Sequence, residues 1–121
     1  MQFDVNDALS KWADCFDRGD PLAMSALFTE DAIFIGGLGG LNLGRGGVQA
    51  YFSANVAGSG MRIIFRGIEV RPQNENMIIV AMIGAISTEG QEARDYRFLQ
   101  TYVVTPDGWR IAGHHGSSMR S

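Results

Sequence analysis

Thr105-Pro106-Asp107-Gly108-Trp109-Arg110-Ile111-Ala112-Gly113-His114-His115-Gly116-Ser117-Ser118 is the stretch on which the fold turns. Pro106-Asp107-Gly108 separates two runs that alternate apolar and polar residues, Arg94 to Val104 and Trp109 to Ser117, so the pair predicts a β-hairpin. Thr105 to Gly108 suits a type I turn with proline second, and Gly108 takes the left-handed residue after it. That is a three-residue loop with a glycine bulge. On this reading Thr105 pairs with Trp109, and Gln100 falls opposite His114. Phe98, Gln100, Tyr102, Ala112 and His114 then share one face, while Arg97, Leu99, Thr101, Val103, Ile111 and His115 share the other. A two-residue turn would shift the pairing by one and bring His115 to the Gln100 face. Pro106 disfavours it, because a primed turn requires a positive φ that proline cannot adopt.

Working outward, Val5, Ala8, Leu9, Trp12, Ala13 and Phe16 recur at helical spacing from about Val5 to Asp17, with Asp4 placed to cap the start and Gly19 to end it. Asp20-Pro21 opens a second helix, expected to run through Phe28. A short strand follows from Ala32 to Ile35. Gly36 to Gly44 lacks alternation and reads as a loop, a lid over a cavity mouth. The third helix carries Val48, Tyr51, Phe52 and Val56 on one side. Met61, Ile63 and Phe65 then alternate until the apolar phase flips at Arg66-Gly67 to Ile68 and Val70, which predicts a bulge and a curved sheet. Met77 to Ile86 is apolar on both faces, as in a strand covered on both sides. The whole, residues 1–121, reads as one α+β domain, three helices on a strongly curved, mainly antiparallel sheet.

Composition narrows the function. The 121 residues carry a net charge of −3, Lys11 is the only lysine, and acidic residues crowd the first quarter. A nucleic-acid binder would present a basic patch. Cys15 is alone and can form no intrachain disulfide. The start has no signal-peptide pattern and no apolar run reaches the ~20 residues of a membrane span, so a cytoplasmic location without membrane contact is expected. His114 and His115 point to opposite sides and cannot share a metal, and no His-x-x-x-His or Cys-x-x-Cys motif exists to complete a site. The glycine segment lacks Gly-x-Gly-x-x-Gly and any following Gly-Lys-Ser/Thr, so no nucleotide cofactor is expected. Arg45 reads as a loop-anchoring cation.

Trp12, Phe16 and Phe52 come from helical stripes that must pack on the sheet, facing Phe98, Gln100, Tyr102 and His114. An aromatic wall with few polar fixtures is the composition of a small-molecule cavity. His114 is the candidate for acid–base chemistry, with Gln100 beside it to orient the ring or hold a carbonyl. The plain alternative is a buried polar knot in which His114 only satisfies Gln100 or Tyr102. The opposite face, with Leu99, Thr101, Val103, Ile111 and His115, is an apolar sheet surface without a helix to cover it. A homodimer through that face is expected.

With these pieces in place the chain resembles the NTF2-like superfamily, in its SnoaL-like and ketosteroid-isomerase-like branch. It is also similar to the association domain of calcium/calmodulin-dependent protein kinase II. The marks are Trp12 seven residues before Gly19-Asp20, Leu27-Phe28-Thr29-Glu30-Asp31-Ala32-Ile33-Phe34, Gly44-Arg45, Arg97, and Asp107-Gly108-Trp109-Arg110-Ile111 running into His114-His115-Gly116-Ser117-Ser118. The resemblance implies a cone-shaped cavity and dimerisation through the sheet. It also implies what is missing. The isomerase base falls at Gly36, its oxyanion-hole tyrosine at Trp12, a supporting tyrosine at Phe52 and its protonated aspartate at Gln100. Two arginine positions of the kinase association domain fall at Gln100 and Gly116. The expectation is a domain binding a small apolar or aromatic molecule, with any lyase, isomerase or hydrolase activity resting on His114. The alternative is a non-catalytic, homo-oligomeric association module. A dehydratase or hydrolase acting through a bound water is a third reading.

Overall fold

The computed structural model describes residues 2–37 and 39–119. The first helix, α1 (Val5–Arg18), begins where Asp4 accepts a hydrogen bond from the Asp7 amide at 3.1 Å and ends at Gly19 in the left-handed region, φ 60°. Its buried face carries Leu9, Trp12, Cys15 and Phe16. Asp20 caps α2 (Pro21–Ser25) by accepting from the Ala23 amide at 3.0 Å. This helix is shorter than its expected run to Phe28. The Leu27 carbonyl accepts instead from the Ile111 amide at 2.9 Å, and Phe28 opens a strand.

That strand, β1 (Phe28–Gly36), exceeds the expected Ala32 to Ile35 at both ends. The glycine segment is not a free loop either. Gly39–Leu43 forms β2 and pairs antiparallel with β1, Ile33 to Leu43 and Phe34 to Asn42, while Leu38 lies outside the described residues. Glycine carries no strand preference of its own, so β2 exists because β1 offers it an edge. After α3 (Gly44–Asn55) come β3 (Arg62–Asn74), β4 (Met77–Ser87), β5 (Arg94–Thr105) and β6 (Gly108–Ser118). The six strands lie in the order β2-β1-β6-β5-β4-β3, antiparallel except where β1 runs parallel to β6. The phase flip in β3 is a register shift between Arg66 and Glu69, with Gly67 at φ 61°. β4 buries one face only: Ile78, Val80 and Met82 are inside, whereas Ile79, Ala81 and Ile83 are half-exposed on the sheet's outer side.

The hairpin reaches its expected end by an unexpected route. Thr105 pairs with Gly108, Val104 with Trp109 and Tyr102 with Ile111, so the turn is only Pro106-Asp107. Gly108 still has a positive φ of 106°. Then the register shifts: Thr101 pairs with Gly113, leaving Ala112 as an extra residue, and Gln100 meets His114. A bulge at Ala112 thus restores what the shorter turn removed. Two corrections follow. Ile111 belongs to the inner face, 1% exposed in the core, and leaves the proposed dimer surface. Ala112 is a bulge residue rather than an inner-face partner of Tyr102.

Candidate functional site

Alternation along β5 turns Phe98, Gln100 and Tyr102 inward, and β6 sets His114 opposite Gln100. The parallel pairing of β1 with β6 brings Phe34 beside His114, and their rings stack at 4.6 Å with 11° between planes. Trp12 from α1 also stacks on the imidazole, at 5.6 Å and 8°. Gln100 is fully buried. Its Nε2 lies 3.1 Å from His114 Nδ1, and the Tyr102 hydroxyl donates to its Oε1 at 2.7 Å. His114 is 4% exposed, and burial, with the nearby His115 adding a smaller effect, pushes its pKa down to about 3. Burial pushes the Tyr102 phenol above its ordinary value. Both groups are therefore neutral at pH 7.

The rings enclose a cavity of about 130 Å³. Its inner wall is Trp12, Phe16, Phe34, Phe52, Val56, Phe98 and His114, all buried. Gly37, Tyr51, Asn55, Met61, Ile86 and Tyr96 are partly exposed and form the mouth. Of the residues expected to touch a ligand, Gln100 and Tyr102 do not reach this space. They stand behind His114, and Tyr102 presses on Phe3 at 4.8 Å toward a different hollow. The active-face trio and the polar knot are thus one arrangement, with only the imidazole lining the cavity. His115 points outward and is exposed, paired with Leu99. Arg45 donates from Nε to the Phe28 carbonyl at 2.8 Å, anchoring the start of α3.

Glycines seat the aromatic rings. A Cβ at Gly36 would fall on the Tyr51 ring, one at Gly37 would meet Tyr96 Cε2 at 2.6 Å, and one at Gly116 would meet Phe98 Cε1 at 2.7 Å. Tyr51 thus fills the space beside Gly36, and Phe98 the space beside Gly116. Phe34, Tyr51 and Tyr96 had no assigned role in the sequence. For Tyr51 and Tyr96 the available signal was Gly36 and Gly37, which face them across the fold and are visible as such only once the packing is known. Among the described residues no group of three or more His, Cys, Asp or Glu side chains could hold a metal ion, and no helix is long and apolar enough to cross a membrane.

The sequence pattern of the SnoaL-like domain family matches residues 5–121, nearly the entire chain. The chain belongs to the SnoaL-like family. Three solved structures resemble this SnoaL-like domain throughout. A proposed dehydratase of the NTF2-like family from Streptomyces avermitilis is 17% identical, with 97% of this chain and 95% of that one covered and a TM-score of 0.85. A proposed calcium/calmodulin-dependent protein kinase II association domain from Xanthomonas campestris is also 17% identical, with 97% and 86% covered and a TM-score of 0.85. An NTF2-like protein with a cystatin-like fold from Novosphingobium aromaticivorans is 17% identical, with 97% and 80% covered and a TM-score of 0.82. At these identities they establish the fold of the SnoaL-like domain and nothing further. No curated protein matches the chain.

Proposed function

We propose that this SnoaL-like domain binds a compact, mainly apolar ring of about the size of benzene. The observation that carries the reading is the aromatic cavity with a single imidazole in its inner wall. Its volume of about 130 Å³ lies near the ~150 Å³ of an engineered apolar cavity that takes up benzene. A fused four-ring ligand would demand that the mouth rebuild. Turnover of the lyase, isomerase or hydrolase kind would bring His114 to the reacting atoms, with Gln100 and Tyr102 holding it from behind. A ring with its pKa at about 3 has no proton to give at pH 7 in excess of its neutral N–H, so binding is better supported than acid catalysis. Thermal unfolding against a panel of single-ring compounds tests this. A ligand at about a hundred times its dissociation constant adds roughly 2.7 kcal/mol of stability. No shift for any member of the panel at saturating concentration overturns the reading.

The outer sheet face favours a second reading, a homo-oligomeric association module. Leu99 is 48% exposed there, flanked in register by Ala81 and His115, with Ile64 exposed near the edge. Thr101 and Val103 continue the patch. The occupant proposed is a second copy of this chain, and light scattering should give the mass of a dimer at micromolar concentration. A monomer removes this reading and leaves the first untouched.

A further inference from the structure

The polar chain behind the cavity has a direction, and that direction says what kind of ring the cavity takes. The Tyr102 phenol sits deep in the core and keeps its proton. Its O–H must find an acceptor, and the Oε1 of Gln100 is the one it has, at 2.7 Å. With its oxygen so engaged, the Gln100 amide presents Nε2–H to Nδ1 of His114 at 3.1 Å. An imidazole whose Nδ1 accepts carries its own proton on Nε2. Reversing the amide would oppose two donors at one end of the chain and strand the phenol proton, an unmade bond in a buried site.

Nε2–H is therefore the edge of His114 left for the cavity, whose wall the ring forms. Trp12, 2% exposed, lines the same cavity with its ring, while its Nε1–H is buried away from the space and finds no acceptor among the described residues. His114 is thus the polar edge of the inner wall, and it presents a donor. The other inner-wall residues, Phe16, Phe34, Phe52, Val56 and Phe98, offer no lone pair.

From this, and resting on the reading that the cavity binds a ring, we infer that its ligand carries a hydrogen-bond acceptor, a ring ketone or aldehyde, received by the Nε2–H of His114. Gln100 and Tyr102 are positioning residues that keep the imidazole a donor. The neutral ring polarises the carbonyl without transferring a proton, the role that neutral histidine plays as an electrophile elsewhere. Carboxylates gain no cation from this wall, and at the inner wall a donor-only ring meets N–H against N–H, the acceptor oxygens of Tyr51, Asn55 and Tyr96 lying at the mouth.

Nitrogen-15 NMR of the full chain tests the direction without any ligand. His115→Ala assigns the two histidines, and the expected spectrum places the proton on Nε2 of His114 with Nδ1 bare. A proton on Nδ1 overturns the inference. Binding tests the consequence, with cyclohexanone, its same-shaped hydrocarbon methylenecyclohexane, and pyrrole as a donor-only ring. Cyclohexanone should move the Nε2–H resonance. In Gln100→Glu, at a pH where nitrogen-15 NMR shows the ring neutral, the carboxylate draws the one proton to Nδ1, and the affinity ratio of ketone to hydrocarbon should fall about fivefold. Tyr102→Phe keeps the ring and frees the amide to turn, so the ratio should fall there too, which covers a Gln100→Glu protein that does not fold. If ketone and hydrocarbon both bind and the ratio is unchanged in the variants, binding stands and this inference fails. If none of the rings binds, the binding reading fails and takes this one with it.

Discussion

Mild acid should destabilise the domain through His114. In the unfolded chain the imidazole takes up a proton near pH 6.5. In the folded domain burial holds that step down to about pH 3. Between these values the unfolded state binds one more proton than the native state, so stability is complete above about pH 6.5 and falls as pH drops. The slope is about 1.4 kcal/mol per pH unit, which gives a loss of about 3 kcal/mol between pH 7 and pH 4.5. That is a large share of the ~5–15 kcal/mol by which domains are stable. Asp20 and Asp95 have carboxyls held below their usual range, by the Ala23 amide and by Arg66 respectively. Their contribution is present above the ordinary carboxylate value and is lost below it, outside this window. Urea unfolding followed by tryptophan fluorescence from pH 7 to pH 4.5 measures the effect, since Trp12 stacks on the imidazole. His114→Gln retains an acceptor for Gln100 and should lose this part of the pH dependence, whereas His115→Ala should keep most of it because desolvation is the larger cause. Equal slopes in wild type and His114→Gln would refute the assignment of the neutral imidazole.

Gly36→Asp, which sets a carboxylate where the resemblance to the isomerases would place their base, should destabilise by about 1–3 kcal/mol because its Cβ falls on the Tyr51 ring. The loss should shrink in the double variant with Tyr51→Ala, and a melting series of the four proteins reads the coupling. Ile111→Ala should cost about 2–5 kcal/mol in urea unfolding, as befits a core residue, while Leu99→Ala on the outer face of the monomer should cost about 0.5 kcal/mol or less. Deleting Ala112 removes the bulge, so the register set by the Pro106-Asp107 turn would run on unbroken. The shortened chain should therefore still set His114 opposite Gln100 and keep the protected Nε2–H by nitrogen-15 NMR, and loss of that signal would refute the bulge reading.

Short-range features were legible in the residues themselves. The caps Asp4 and Asp20, the αL Gly19 and the apolar stripe of α1 each depend on neighbours within a turn or two of helix, and each lies where the spacing put it. The β3 bulge at Gly67 was equally local. Non-local features were not. β2 has little pattern of its own and takes its conformation from the edge of β1. The face of Ile111 depends on an integer, the count of residues opposite each other across the hairpin, and that count changes at the turn and again at Ala112. The two changes cancel by Gln100, which is why the inward direction of His114 was read correctly from a turn that was not.

Residue order alone was sufficient for a SnoaL-like α+β domain, because burial periodicity, capping and turn chemistry act over a few residues and leave their spacing in the chain. It was sufficient also to bring Gln100 and His114 together. Tertiary structure alone decided that Gln100 and Tyr102 stand behind the cavity rather than in it, that Tyr51 and Phe98 occupy space opened by glycines, and that about 130 Å³ is left over. A void is the small difference between the volume a shell encloses and the volume its side chains fill, so it is settled only when every ring has found its seat.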